Sequence, residues 1–163
     1  ELICEYTGAK YSIAVTNGTV ALRLALFLVG VTHNEEVLIP PMTFVATANA
    51  VSHLGAIPHF IDIEKENLGM SPKALRKRLE EIAVNKNGSI YNKTTGRRIA
   101  SILPVHVFVT PSKIIEIKEI ADHWNIPLVE DAAEALGSCV RNGGKFRHCG
   151  NFGYVSFISF NGI

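Results

Sequence analysis

The chain is predicted to fold as an α/β domain, a mostly parallel sheet with helices on both faces. Two observations predict it. Short apolar, β-prone runs alternate with segments of helical periodicity along all 163 residues, the pattern of successive βαβ units. Strand ends also turn directly into helix starts, at Asn17-Gly18-Thr19 and again at Pro40-Pro41-Met42-Thr43, with no repeat, low-complexity tract or interdomain linker between them.

In order, residues 1–6 read as the end of a helix stopped by Thr7-Gly8. Residues 11–15 read as a short strand. From Gly18, the apolar residues Val20, Ala21, Leu24, Ala25 and Leu28 recur at helical spacing. A strand over residues 36–39 is closed by Pro40-Pro41, an Ala-rich amphipathic helix covers 43–54, and a third strand covers 57–63. Ser71-Pro72 opens a helix with an N-cap and a proline at its first position, running to about Ile82. Residues 84–98 carry turn signals at Asn87-Gly88 and Thr95-Gly96 around a β-prone run, which predicts an inserted, exposed hairpin. A strand over 99–105, a helix over 112–124 and a strand over 127–130 follow. Residues 140–151, with Gly143-Gly144 and Gly150, form a turn-rich connection with room for a second hairpin, and 154–160 is the last strand.

Composition narrows the function. The 47% hydrophobic content supports a sizeable core, and sixteen basic against fifteen acidic residues leave a net charge of +1, so no basic surplus points to nucleic acid or an anionic membrane. No apolar run reaches the roughly 18 residues of a transmembrane helix. No export signal opens the chain, which starts at Glu1, and an upstream piece is allowed for. Cys4, Cys139 and Cys149 are too few and too scattered for a disulfide framework and suit a reducing, cytoplasmic setting. Cys139, His148 and Cys149 lack a zinc-like set of four ligands, so no metal is expected. His33, His53, His59 and His123 read as surface or satisfied core residues.

Four positions carry candidate chemistry. Gly18 and Thr19, at a helix start, outline an anion cradle, although Asn17-Gly18-Thr19 is equally ordinary capping chemistry. Neither a Walker loop nor Gly-x-Gly-x-x-Gly is present, which removes the usual fingerprints of nucleotide triphosphates and dinucleotides. Phe44 can lie across a flat aromatic ligand or pack in the core. Asp131 ends an apolar strand and is followed by small residues, a place where a carboxylate meets a cation or a protonated ring, or simply caps a helix. Ser159, near the last strand end, can bind phosphate or be structural.

These positions lie within longer matches: Tyr6-Thr7-Gly8-Ala9-Lys10-Tyr11, Asn17-Gly18-Thr19-Val20-Ala21-Leu22, Thr43-Phe44-Val45-Ala46-Thr47-Ala48-Asn49-Ala50, Gly55-Ala56-Ile57-Pro58-His59-Phe60-Ile61-Asp62, Leu103-Pro104-Val105-His106-Val107-Phe108, Glu130-Asp131-Ala132-Ala133-Glu134-Ala135-Leu136-Gly137 and Ser159-Phe160-Asn161-Gly162. In this order they resemble the pyridoxal 5'-phosphate (PLP)-dependent sugar aminotransferases of the DegT/StrS type, and the hairpin and Glu134 look most like the legionaminic-acid branch. The resemblance implies the fold type I, aspartate aminotransferase-like large domain, here partial over residues 1–163 and without its small C-terminal domain. It implies that Gly18, Thr19 and Ser159 hold the phosphate, that Phe44 stacks on the pyridine ring, that Asp131 pairs with the ring nitrogen, and that Glu134 stands near the ring hydroxyl. His106 matches the family's Pro-Val-His without an assigned role.

The family's catalytic lysine is expected just after Ile163, so no catalytic residue is named among the nine lysines present. Val109 stands where the family usually has Gly, a source of strain if that position needs φ > 0. The implied parent reaction moves an amino group, usually from glutamate, to a 4-keto nucleotide sugar for surface glycans, in a cytoplasmic homodimer. The chain by itself is expected to be an inactive fragment. The alternatives are a lysine-less remnant that binds PLP weakly or only associates with intact subunits, and a sugar 3-dehydratase of the same family.

Overall fold

A computed structural model describes residues 1–160. Asn161, Gly162 and Ile163, and with them the end of the Ser-Phe-Asn-Gly motif, lie outside the described residues. The elements in order are α1 (Leu2–Thr7), α2 (Gly18–Leu28), β1 (Glu36–Ile39), α3 (Val45–His53), β2 (Ile57–Phe60), α4 (Pro72–Ile82), β3 (Ala83–Lys86), β4 (Ser89–Asn92), β5 (Ile99–Ile102), α5 (Ile114–Trp124), β6 (Val129–Asp131), β7 (Cys139–Asn142), β8 (Lys145–His148) and β9 (Val155–Phe157).

β1 pairs in parallel with β2 on one side and β5 on the other, and β6 pairs in parallel with β9. The parallel bridges Ile102 to Leu128 and Val105 to Asp131 join the two ladders, giving the order β2-β1-β5-β6-β9. The expected parallel sheet is therefore present. β1 and β5 are buried along their whole length, as strands covered on both faces must be. One face packs Leu22, Leu26, Val51, Leu103 and Val129 beneath α2 and α3. The other packs Leu75, Leu79, Ile114, Ile117 and Ile120 from α4 and α5 against Leu38 and Ile102.

Local chemistry explains most boundaries. α2 is capped by the Asn17 side chain, which accepts the Val20 N–H, and α4 by Ser71, which accepts the Ala74 N–H just before Pro72. Gly8 ends α1 in the left-handed region at φ 76. Both expected hairpins form, β3 with β4 and β7 with β8. Glu36 anchors the first one to the sheet by accepting hydrogen bonds from Asn92 and Thr95.

Several expectations are corrected. Residues 11–15 form no strand: Tyr11 and Ile13 are 76% and 82% exposed, and without a neighbouring edge their alternation has nothing to pair with. The helix expected from residue 43 starts at Val45, because Phe44 is its extended N-cap residue. The strand expected over 57–63 ends at Phe60, after which Ile63 only bridges Met70, and the last strand is confined to Val155–Phe157.

Candidate functional site

The chain leaves β1 toward β2 on one side and returns to β5 on the other, so the carboxyl ends of these neighbouring strands open a crevice. In open parallel sheets that switch point is the ligand position. Around it lie the segment from Pro40 into α3, the segment after β5, and the turn that follows Asp131. A cavity of about 260 Å³ lined by Ile90, Arg98, Asn125, Pro127 and Tyr154 sits at the opposite, amino-terminal end of the strands. It has none of the candidate chemistry, and the switch point is the better site.

Asp131 ends β6 and is 5% exposed. Its backbone is locked beside the β5 extension, donating to the Pro104 carbonyl and accepting from the His106 N–H. The carboxylate accepts the Thr47 hydroxyl on Oδ2 at 2.9 Å and the Ala133 N–H on Oδ1 at 3.2 Å. Burial nevertheless pushes Asp131 up to about 6, the two hydrogen bonds pulling the other way and nearby Glu134 adding to the rise. A buried carboxylate with lone pairs to spare is suited to a protonated ring nitrogen, whose charge would offset the cost of burying it.

The phosphate candidates come together. A Cβ placed on Gly18 would lie 3.7 Å from the Ser159 hydroxyl oxygen, and the Ser159 N–H reaches the Ala133 carbonyl at 3.4 Å. The start of α2, the end of β9 and the Asp131 turn thus share one end of the sheet. Asn17 takes the Val20 N–H with its side chain and the Ala21 N–H with its carbonyl. The Gly18 and Thr19 N–H groups are left as the first-turn donors, pointing out of the positive end of α2. Thr19 itself is half-buried in that turn. The cradle, the buried carboxylate and an aromatic 76% exposed beside them, Phe44, fit a phosphorylated, protonated heteroaromatic ring.

One oxygen of Glu134, Oε2, accepts the Phe108 N–H at 2.8 Å. The turn it holds is strained. Phe108 and Val109 both lie at positive φ, 51° and 62°, a conformation that is a true outlier for a β-branched residue. Val109 thus occupies a position that needs the left-handed region, as its exchange for Gly suggested. The Ser138 hydroxyl secures the far side of the turn by donating to the Val109 carbonyl.

Two groups were not singled out by sequence for their actual part. Thr47 reads as helix filler between alanines, yet it touches Asp131. His106 receives the Ser112 N–H on Nδ1 at 3.1 Å, so its ring proton sits on Nε2 and is donated to Glu130 at 3.2 Å. Glu130, fully buried, also accepts the N–H groups of Gly150, Phe152 and Gly153. His106 and Glu130 therefore organise backbone and do not face the crevice chemistry. His148 uses Nε2 to accept the Gly137 N–H and Nδ1 against the Cys149 carbonyl. The Cys149 thiol, buried beside Glu130, is pushed up to about 12 and stays protonated.

The model of the DegT/DnrJ/EryC1/StrS aminotransferase family matches residues 1–163. The chain is 35% identical over 158 residues to the GDP-perosamine synthase of Vibrio cholerae, covering 97% of this chain and 38% of that protein. Among solved structures, a DegT/DnrJ/EryC1/StrS aminotransferase from Brucella abortus superposes with a TM-score of 0.81 at 29% identity, covering 98% of this chain and 39% of the other. NtdA from Bacillus subtilis, solved with bound pyridoxamine phosphate (PMP), superposes with a TM-score of 0.70 at 26% identity, over 89% of this chain and 29% of its own. The chain spans 38% of the length of the curated relatives it matches.

Proposed function

Because the chain belongs to the DegT/DnrJ/EryC1/StrS aminotransferase family, which is PLP-dependent and has the fold type I architecture, we propose that it forms the cofactor-binding part of a nucleotide-sugar aminotransferase. Its substrates in that role are an amino-acid donor, glutamate, and a 4-keto nucleotide sugar destined for a surface glycan. The observation that carries this reading is Asp131, a buried carboxylate at the switch-point crevice with hydrogen-bonding capacity left over and the phosphate candidates beside it.

In this reading Asp131 pairs with the ring nitrogen, Phe44 lies on the ring face, and the Gly18 and Thr19 amides with the Ser159 hydroxyl hold the phosphate. When bound, the cofactor supplies an electron sink for moving an amino group between donor and acceptor. The protein's contribution is to keep the ring nitrogen protonated by a fixed negative charge and to hold the ring in one orientation. Glu134 stands next to Asp131 and spends one oxygen on the Phe108 N–H, so the expected contact with the ring hydroxyl falls to its other oxygen.

Self-association fits the surface. Val20, Leu24, Phe27 and Leu28 form an exposed apolar stripe along α2, which a second copy would cover in a cytoplasmic homodimer. No described helix is long and apolar enough to cross a membrane.

The test is Asp131→Ala in the protein as encoded at full length. The variant should lose the bound-cofactor absorbance and nearly all transfer from glutamate to a 4-keto nucleotide sugar. Turnover near that of the unmodified protein would reject the assignment.

A further inference from the structure

We infer that Thr47 is a positioning residue of this site, one that fixes the Asp131 carboxylate and the Phe44 aromatic relative to each other. The inference rests on the cofactor reading above and adds a residue to it.

Thr47 is 1% exposed and lies in the first turn of α3. It makes three hydrogen bonds that together span the ring site. Its hydroxyl accepts from the Thr43 hydroxyl at 2.7 Å and donates to Asp131 Oδ2 at 2.9 Å, and its N–H donates to the Phe44 carbonyl at 3.0 Å. The direction of the chain matters. A hydroxyl has one proton, and with Thr43 donating into it, the Thr47 proton is committed to Asp131. The relay therefore favours the ionised carboxylate.

Geometry restricts Asp131 as well. Thr47 on Oδ2 and Ala133 N–H on Oδ1 fix the rotation of the carboxylate, and with it the directions of its remaining lone pairs. The same threonine ties the Phe44 backbone to that carboxylate, which sets the offset between the group that meets the ring edge and the group that meets the ring face. The other titratable groups near Asp131 are His106 and Glu134. His106 is held by Ser112 and Glu130 and Glu134 by the Phe108 N–H, so neither replaces Thr47.

The experiment measures PMP affinity of the full-length protein by calorimetry, from about pH 5 to pH 8 around the Asp131 value of about 6. PMP forms no covalent bond to a lysine, so its affinity reports the non-covalent site alone. Thr47→Val, which keeps shape and removes the hydroxyl, should bind PMP about tenfold more weakly at neutral pH, as loss of a hydrogen bond to a charged group predicts. The pH at which affinity falls away should move upward. Thr47→Ser should restore both to within about twofold, since it restores the donor. A Thr47→Val protein that binds as tightly as the unmodified one with the same pH midpoint overturns the inference. So does equal weakening in Thr47→Ser, which would make the methyl group the cause. Asp131→Asn is the control: if it alone loses PMP, the cofactor reading stands without Thr47, and if it binds normally, the assignment of Asp131 itself falls.

Discussion

Asp131→Asn should stabilise the cofactor-free protein while abolishing cofactor binding. The magnitude follows from the carboxylate's displacement, from 3.8 to about 6 on burial. A raised carboxyl pKa means that the folded state holds its proton more tightly than the unfolded chain. The stability this provides is present at low pH and is lost as pH rises through the window from 3.8 to about 6. At about 1.36 kcal/mol per pH unit, the ionised group costs the empty site about 3 kcal/mol at neutral pH. Asparagine removes the charge, keeps an acceptor for the Ala133 N–H, and can donate to the Thr47 oxygen if that hydroxyl rotates. Allowing for imperfect repairing, a gain of about 1–3 kcal/mol remains. The assay is thermal unfolding of both proteins, stripped of cofactor, from pH 4 to pH 8. Their midpoints should lie close together at the acid end, diverge as pH rises through the window, and run parallel above it with the variant several degrees higher. A variant no more stable than the parent at pH 7.5, or a difference independent of pH, would refute the account of Asp131 as a charge held at a cost.

Val109→Gly should raise stability by about 0.5–1 kcal/mol in urea unfolding, because relief of strain at φ 62 exceeds the entropy of the added glycine and the little burial lost at an exposed site. Val109→Ala retains the positive-φ penalty and should give no gain, so equal behaviour of the two would remove the strain argument. Gly153→Ala should destabilise by about 2 kcal/mol in the same measurement, since its Cβ would come within 2.6 Å of the Leu128 carbonyl oxygen, a backbone atom that cannot move aside.

What could be read from sequence was the part set by short-range chemistry. Asn17, Ser71-Pro72 and Asn87-Gly88 mark caps and turns by rules local to a few residues, and each stands where those rules place it. Asp131 was legible because a carboxylate closing an apolar strand is rare enough to ask for a partner. Residues 11–15 were misread because a strand is a property of two segments, and Tyr11 and Ile13 alternate with no edge to meet. Thr47 was invisible for the same reason at the level of a side chain: its partner is 84 residues away, on another element. His106 lacked a role until the fold brought Ser112 and Glu130 to its two nitrogens.

Between Gly137 and Gly150 the chain makes an excursion and returns to where it left. The Cys149 N–H closes the base of the excursion on the Ser138 carbonyl, and Glu130 grips the backbone at Gly150, Phe152 and Gly153 as it comes back. Glu130 thereby helps the backbone ladder fix the register of β9 against β6, and with it the place of Ser159, whatever the length of the path between them. The outer part of the hairpin, residues 141–147, is exposed and can be extended or fused to a reporter, whereas Val140 packs on the core and His148 is buried. New surface contacts can be built there without disturbing the carboxyl end of the sheet.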